Sequence, residues 1–310
     1  MFKGIKSKIL LIGAMAVSML ISGCGVKKDS DDKVMLVHGR NIIEVNSEGK
    51  KKLLDNNYGG YMQYDPNDNL LIASGTNVTI YNLETGAATN IGLPKEKRML
   101  YDFKYEGQRM AGLNAWYEGG KVRTYAMNLA DDTLVVFTFD CETGELENTT
   151  RYDVKNPHFV RETDNLIVYI SKHNLNIYDK TTGEIKTVAN GIGIQPGRDF
   201  NDLIVLNGDK SKVLFVKTTD DAPVLYEYDI PSGETREVYR CSKGNYITGF
   251  TYALDSNKIY LRYGKKFNSI AGYGCLPNHT MVITTDGLTY ELHSSQIDGY
   301  SFSHTGIVIY

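Results

Sequence analysis

Several residue types and patterns are scarce in this chain of 310 residues, and each shortage removes a class of protein. With 7 Pro and 30 Gly it is neither low-complexity nor disordered. Lysine and arginine (34) do not outnumber aspartate and glutamate (37), so the clustered positive charge that nucleic acid requires is missing. No stretch carries the long 3.6-residue apolar period of an amphipathic helix. The one extended apolar run, Ile9 to Ile21, has 13 residues, short of the roughly 20 that span a bilayer. The six histidines (His38, His158, His173, His279, His293, His304) include no His-x-His or His-x-x-x-His pair, so no metal is expected. Tyrosine is what the chain has in plenty: 22 Tyr against 10 Phe and one Trp. Its flat ring suits a half-buried pleated surface while its hydroxyl stays wet. A composition of 42% hydrophobic and 23% charged residues is that of a soluble globular protein with a sizeable core.

The first residues fall into zones. Lys3, Lys6 and Lys8 are a positive start, the apolar run follows, and Leu20-Ile21-Ser22-Gly23-Cys24 ends it. That is the layout of a secretory signal peptide. The ending resembles the bacterial lipobox, with an aliphatic residue, two small residues and then the cysteine that receives lipid. The resemblance implies a signal peptide over residues 1–23 and lipidation of Cys24. It also implies a lipid-anchored place on the extracytoplasmic face of the cell membrane, or of an outer membrane where the source has one. Two or three acyl chains, each CH₂ worth about 0.8 kcal/mol when buried, hold far more firmly than one. Residues 24–33 include Lys27-Lys28-Asp29-Ser30-Asp31-Asp32-Lys33, charged and without apolar anchors, and read as a flexible tether. The rest, 34–310, is one domain.

Within that domain a phrase recurs: an aromatic residue, Asp or Asn, two variable residues, Thr or Ser, then Gly. It stands at Tyr81-Asn82-Leu83-Glu84-Thr85-Gly86, Phe139-Asp140-Cys141-Glu142-Thr143-Gly144, Tyr178-Asp179-Lys180-Thr181-Thr182-Gly183 and Tyr228-Asp229-Ile230-Pro231-Ser232-Gly233. Weaker copies end at Gly49 and Gly287, and the gaps between glycines are 37, 58, 39, 50 and 54 residues. The chemistry is that of a hairpin turn, since Gly takes positive φ freely and Asp or Asn bonds back to nearby backbone N–H groups. Apolar residues alternate on either side, as in Leu175, Ile177 and Ile185, the period of a strand. Upstream of the phrases lie further strand pairs around polar turns: Tyr61–Tyr64 with Leu70–Ala73, His158–Val160 with Leu166–Ile170, and Phe250–Leu254 with Lys258–Leu261.

Units of four short strands, which cannot hide both faces alone, stack into a ring. The expected fold is therefore an all-β propeller. Five fairly complete blades run between about Tyr58 and Ser294, and a sixth joins Val34–Leu54 to Tyr300–Tyr310. The alternative is seven blades, with an extra one inside residues 99–155 or at the ends. A β-sandwich is a third choice that leaves the repeated phrase unexplained.

The phrase resembles the strand–turn signature of bacterial YVTN-type and TolB-type propellers, and of LDL-receptor-like propeller domains in bacterial lipoproteins. The resemblance spans most of residues 34–310 and implies an extracytoplasmic scaffold offering loops to a partner. The single Trp116 and the lack of any Trp-Asp pair separate the chain from WD-repeat and quinoprotein propellers. Thr284-Thr285-Asp286-Gly287-Leu288-Thr289-Tyr290 lacks the spacer of a sialidase Asp-box. No Gly-x-Ser-x-Gly elbow and no phosphate-binding glycine loop occurs. Of the cysteines other than Cys24, Cys241 with Cys275 could pair in an exported protein, while Cys141 sits within a turn phrase.

Two segments break the blade rhythm and are read as candidate binding loops. One holds Trp116 and Tyr117 before Gly119-Gly120; the other, Gly264 to Thr280, holds Tyr273, Asn278 and His279. Such aromatics stack on sugars or anchor a protein interface, or else Trp116 packs between blades. The expected role is a non-catalytic binding or scaffolding module for a protein or cell-envelope glycan, without a cofactor. The alternatives are a glycan-acting lyase or hydrolase working in the central channel, or a sensor passing a signal to a membrane partner.

Overall fold

The computed structural model describes residues 34–38, 41–46, 49–55, 61–65, 69–74, 78–93, 102–192, 194–195, 198–199, 204–220, 222–253, 257–269, 272–291 and 308–309. The leader and tether, Cys24 included, lie outside them. Every regular element described is a β-strand. The first three are β1 (Val34–His38), β2 (Asn41–Asn46) and β3 (Gly49–Asp55). Next come β4 (Tyr61–Asp65), β5 (Leu70–Ser74), β6 (Val78–Asn82) and β7 (Ala88–Ile91). A larger unit follows, of β8 (Asp102–Tyr105), β9 (Gln108–Glu118), β10 (Lys121–Asn128), β11 (Thr133–Asp140) and β12 (Leu146–Lys155). Then stand β13 (Phe159–Glu162), β14 (Leu166–Ser171), β15 (Asn174–Asp179) and β16 (Ile185–Asn190). A short ribbon of β17 (Ile194–Gln195) and β18 (Arg198–Asp199) leads to β19 (Ile204–Leu206), β20 (Lys212–Thr219), β21 (Ala222–Asp229) and β22 (Thr235–Arg240). The series ends with β23 (Asn245–Tyr252), β24 (Lys258–Ser269), β25 (Gly272–Thr284) and β26 (Thr289–Glu291), and far along the chain β27 (Val308–Ile309).

The protein is an all-β propeller. Consecutive antiparallel strands build five blades, β4–β7, β8–β12, β13–β16, β19–β22 and β23–β26, against the six expected. A further sheet in the order β27-β1-β2-β3 draws on both chain ends, with Val34 opposite Ile309 and Met35 opposite Val308. It is described through its backbone pairing, and it repeats no complete turn phrase of its own. The seventh blade inside residues 99–155 is overturned: residues 102–155 make a single blade, widened by β8 and by long strands. That accounts for the long glycine gap there.

Each full turn phrase folds the same way. The Asx side chain accepts backbone N–H groups two or three residues on, as Asn82 does from Glu84 (3.0 Å) and Thr85 (2.8 Å), and Asp179 from Thr181 (2.7 Å) and Thr182 (2.9 Å). The Thr or Ser hydroxyl takes the next one, as Thr143 does from Glu145 at 3.2 Å. The glycine N–H closes onto the Asx carbonyl, 2.8–2.9 Å in the four copies, at φ of 72–75°. That backbone conformation costs glycine nothing.

The core lies between blades rather than within them. Middle strands are apolar on both faces, and alternate residues serve opposite neighbours. Val213 and Phe215 pack with Val168, Ile170 and Leu175 of the preceding blade, whereas Leu214 and Val216 pack with Phe250, Ile259 and Leu261 of the following one. β11 divides likewise, Val135, Phe137 and Phe139 going one way and Leu134 and Val136 the other. Outer strands such as β16 and β22 are largely exposed.

The inner strands meet around the axis, where β27 touches β4, β4 touches β9, β9 touches β13, β13 touches β19, β19 touches β23, and β23 touches β27. An inner strand, or in β9 the part beyond Ala111 where β8 stops, has no ladder partner on its axial side, so its N–H and C=O groups there need other partners. At two of the blade boundaries side-chain amides from the preceding blade supply them. Gln63 takes the Tyr117 N–H and donates to the Tyr117 carbonyl, both at 2.8 Å. Asn114, 4% exposed, does the same to Val160, both at 3.0 Å.

The turn aspartates predict an acid response. The Thr143 N–H, then the Lys121 ammonium, hold the Asp140 carboxyl down to about 2, and the Thr182 and Ser232 N–H groups lower Asp179 and Asp229. Groups lowered by folding stabilise the fold fully above the ordinary aspartate range near pH 4. That stabilisation fades as pH falls through the folded values. Because Asn82 makes the same turn without charge, Asp140→Asn, Asp179→Asn and Asp229→Asn combined should keep the fold. The triple variant should flatten the loss of thermal stability that the parent shows between about pH 4 and pH 2; parallel slopes would contradict this assignment.

Candidate functional site

The structure places the expected aromatics in strands rather than loops. Trp116 and Tyr117 lie near the end of β9, and the irregular stretch after them is a two-residue hairpin turn, Gly119 and Gly120, at φ of 56° and 75°. Tyr117 is 2% exposed, with its backbone clamped by Gln63. Trp116 is half-buried, and the guanidinium of the fully buried Arg161 is sandwiched between it (4.3 Å) and Phe159 (4.4 Å). Burial and these contacts make Trp116 a packing residue at a blade boundary.

Beside it runs a chain of alternating charges. Glu162, its side chain 8% exposed, meets Lys180 at 2.5 Å and Arg123 at 3.6 Å; Arg123 meets Glu118 at 3.2 Å, and Glu118 pairs with Lys210. Residues of three successive blades are thereby tied together.

Tyr273, Asn278 and His279 all fall within β25, so the second segment is also no loop. It is a hairpin extension of the last blade. β24 pairs with β25 from Lys258 opposite Thr284 out to Ser269 opposite Gly272. β23 stops opposite Lys265, and β26 reaches only Met281. Among the described residues the ribbon therefore outruns both neighbouring strands. Tyr273 and Asn278 are placed by backbone register; the His279 ring stacks on Tyr263 (5.0 Å, 15°), which contacts Tyr239 of the preceding blade. Cys241 is buried in that inter-blade core, and the side chain of Cys275 lies outside the described residues. Cys141 packs against the core at its own turn.

A polar cleft of about 200 Å³ opens between the last two consecutive blades, at the end where the turn phrases lie. Its floor is Glu227 on β21, its side chain 5% exposed. Arg236 Nε donates to it at 2.7 Å, Tyr252 Oη donates at 2.9 Å, and Lys212 Nζ stands 3.7 Å away. Burial raises the Glu227 carboxyl, but the Arg236 and Tyr252 hydrogen bonds and the two cations outweigh it, so the group sits below the ordinary glutamate value. Burial, then Glu227, pushes the Tyr252 hydroxyl far up, so Tyr252 remains a donor. Asn207, Lys258 and the last blade's turn (Thr284, Thr285, Gly287) complete the walls. This last turn is one residue shorter than the others, with Gly287 N–H on the Thr284 carbonyl at 3.0 Å.

Sequence reading missed the cleft, although a signal was present. The residue before the phrase's aromatic is Ile80, Thr138 and Ile177 in three copies and Glu227 in the fourth. Ile80 and Ile177 face neighbouring blades as apolar packing. A carboxylate at that place requires partners, and Arg236 and Tyr252 are those partners.

No family model matches the chain, and no curated protein matches it. Solved propellers do. A chain of the nidogen/laminin complex matches at 11% identity with a TM-score of 0.55, covering 90% of this chain and 98% of that one. TolB from Acinetobacter baumannii matches at 14% identity and a TM-score of 0.52, over 88% of this chain and 66% of that one. A putative 6-phosphogluconolactonase from Bacteroides fragilis matches at 12% identity and 0.51, over 92% and 99%. At these identities the likeness establishes the class, a β-propeller, and nothing finer.

Removing one donor tests the floor. Tyr252→Phe leaves the buried carboxylate short of a hydrogen bond, at a cost of about 1.5–3 kcal/mol at pH 7 in urea unfolding. Because folding lowers the Glu227 carboxyl, the penalty should shrink below about pH 4. A penalty independent of pH would show that the hydroxyl serves packing alone.

Proposed function

We propose that this chain is a lipid-anchored extracytoplasmic lipoprotein whose propeller is a binding or scaffolding module for a protein or cell-envelope ligand. The observation that carries the binding role is the β24–β25 ribbon. Past Lys265 and before His279 it has no further strand beside it among the described residues, so two backbone edges are presented beyond the body of the blade. Exposed edges of this kind take up an extended segment by strand addition. The anchor rests on the apolar run and Leu20-Ile21-Ser22-Gly23-Cys24, with a charged tether to hold the propeller clear of the lipid. That a propeller of like fold occurs in a complex of two proteins fits such a role.

We also infer that the propeller closes as six blades. The circuit of inner-strand contacts, with β27 between β23 and β4, supports the sheet of joined chain ends as the sixth. Joining the ends hides edges that would otherwise pair with other molecules.

Cell fractionation tests the address: the parent chain should partition with membranes and require detergent for release, whereas Cys24→Ser should be unprocessed or released. A mature, membrane-bound Cys24→Ser form would refute the anchor. For the binding role, residues 267–274 are replaced by an Asn-Gly turn that joins Lys266 to Cys275. Envelope material cross-linked to the parent should be lost from this folded variant. Undiminished capture would move the binding surface elsewhere.

A further inference from the structure

We propose that the propeller is held with its turn-phrase face toward the bilayer and the β24–β25 ribbon directed away from it, so that the strand the ribbon takes up belongs to a protein standing off that membrane. The inference rests on the lipid anchor and the six-blade closure proposed above, and adds an orientation to them.

The orientation follows from where the chain enters each blade. In the four blades with a full phrase, the second strand of the phrase-bearing set starts level with the Asx residue of the turn. Leu70 stands opposite Asn82, Lys121 opposite Asp140, Leu166 opposite Asp179 and Lys212 opposite Asp229. Each of these strands thus runs from the turn-phrase face to the opposite face. In the sheet of joined chain ends the corresponding strand is β1, between β27 and β2. Its first residue, Val34, stands opposite Val45, beside the β2–β3 turn where Asn46 faces Gly49. Stacked as a blade, this sheet receives the chain at the turn-phrase face. β24 holds the same place in the last blade. It leaves that face at Lys258, opposite Thr284, and ends at Ser269, opposite Gly272, so the far end of the ribbon lies beyond the other face. Chain entry and ribbon tip are on opposite sides of the ring.

Two lengths decide whether a tethered propeller can turn over. Residues 24–33 are ten in number, and ten fully extended residues span at most about 36 Å. β24 has 12 residues, about 40 Å of strand at roughly 3.3–3.4 Å each. To rest the ribbon tip on the bilayer, the tether would cross the two strand spacings over β2 and β3 and then run that height, about 50 Å in all. It is too short. The bilayer that carries the lipid is out of reach of the ribbon tip, and an extended segment that pairs there approaches from the far side.

Energy transfer in phosphatidylcholine vesicles, with an acceptor dye on some of the headgroups, tests this on the lipidated full chain. A donor dye is carried on an unnatural residue replacing Glu142 or Ala130, both exposed. Glu142 lies in the phrase turn after β11 and Ala130 in the turn before it, on the opposite face. With about 27 Å of strand between the two sites, transfer from Glu142 should exceed that from Ala130 at least about threefold. Equal transfer, or stronger transfer from Ala130, would overturn the orientation and leave the anchor standing. Transfer from both sites no higher than in Cys24→Ser would defeat the anchor, and the orientation with it. A spacer of about 20 Gly and Ser residues inserted after Lys33 adds up to about 70 Å of reach and should bring the two sites within about twofold of each other. An undiminished difference in that longer chain would overturn the claim that the tether sets the orientation.

Discussion

The structure depends on how each blade satisfies the one beside it. A four-stranded sheet has two apolar faces and, at its inner strand, an edge of unpaired backbone groups; alone it would leave all three uncovered. Interleaved side chains cover the faces, with alternate residues of one strand serving opposite neighbours. The edge is covered by amide side chains reaching across the blade boundary, Gln63 to Tyr117 and Asn114 to Val160. The apolar contact is adaptable, whereas a paired donor and acceptor 3.0 Å from their partners fix register as well as distance.

The cleft and the ribbon arise where this scheme is altered locally. At Glu227 a position used for apolar packing carries a charge, held by Arg236 and Tyr252 at the floor of an open cleft. In the last blade β24 and β25 grow past β23 and, among the described residues, past β26, as a two-stranded ribbon. The inter-blade core adjoins the cleft, Tyr252, Ile259 and Ile283 belonging to both.

Much of the fold was legible in the sequence, because its grammar is local. The Asx–Thr/Ser–Gly phrase contains every group its turn requires, so the four copies could be placed as hairpins from residues alone. The strand pairs around Asp65–Asn69 and Thr163–Asn165 were legible for the same reason. The wider blade from 102 to 155 was not, since β8 and the long β9 follow no repeated phrase. Trp116 and Tyr117 were misplaced into a loop because the paired glycines suggested irregularity, although two successive positive-φ residues are what a tight hairpin uses. The clamps and the cleft stayed hidden because their partners are far apart in the chain, 54 residues between Gln63 and Tyr117 and 25 between Glu227 and Tyr252.

The central claim is that amides of one blade hold the inner edge of the next. Urea unfolding of Asn114→Ala tests it most directly, since the change leaves the buried N–H of Val160 without its partner and removes one of the two donors to its C=O, the other being the Arg161 guanidinium. The account predicts a loss of about 1–3 kcal/mol with an unchanged slope in denaturant. A stability within about 0.5 kcal/mol of the parent, the ordinary result of a surface substitution, would contradict it.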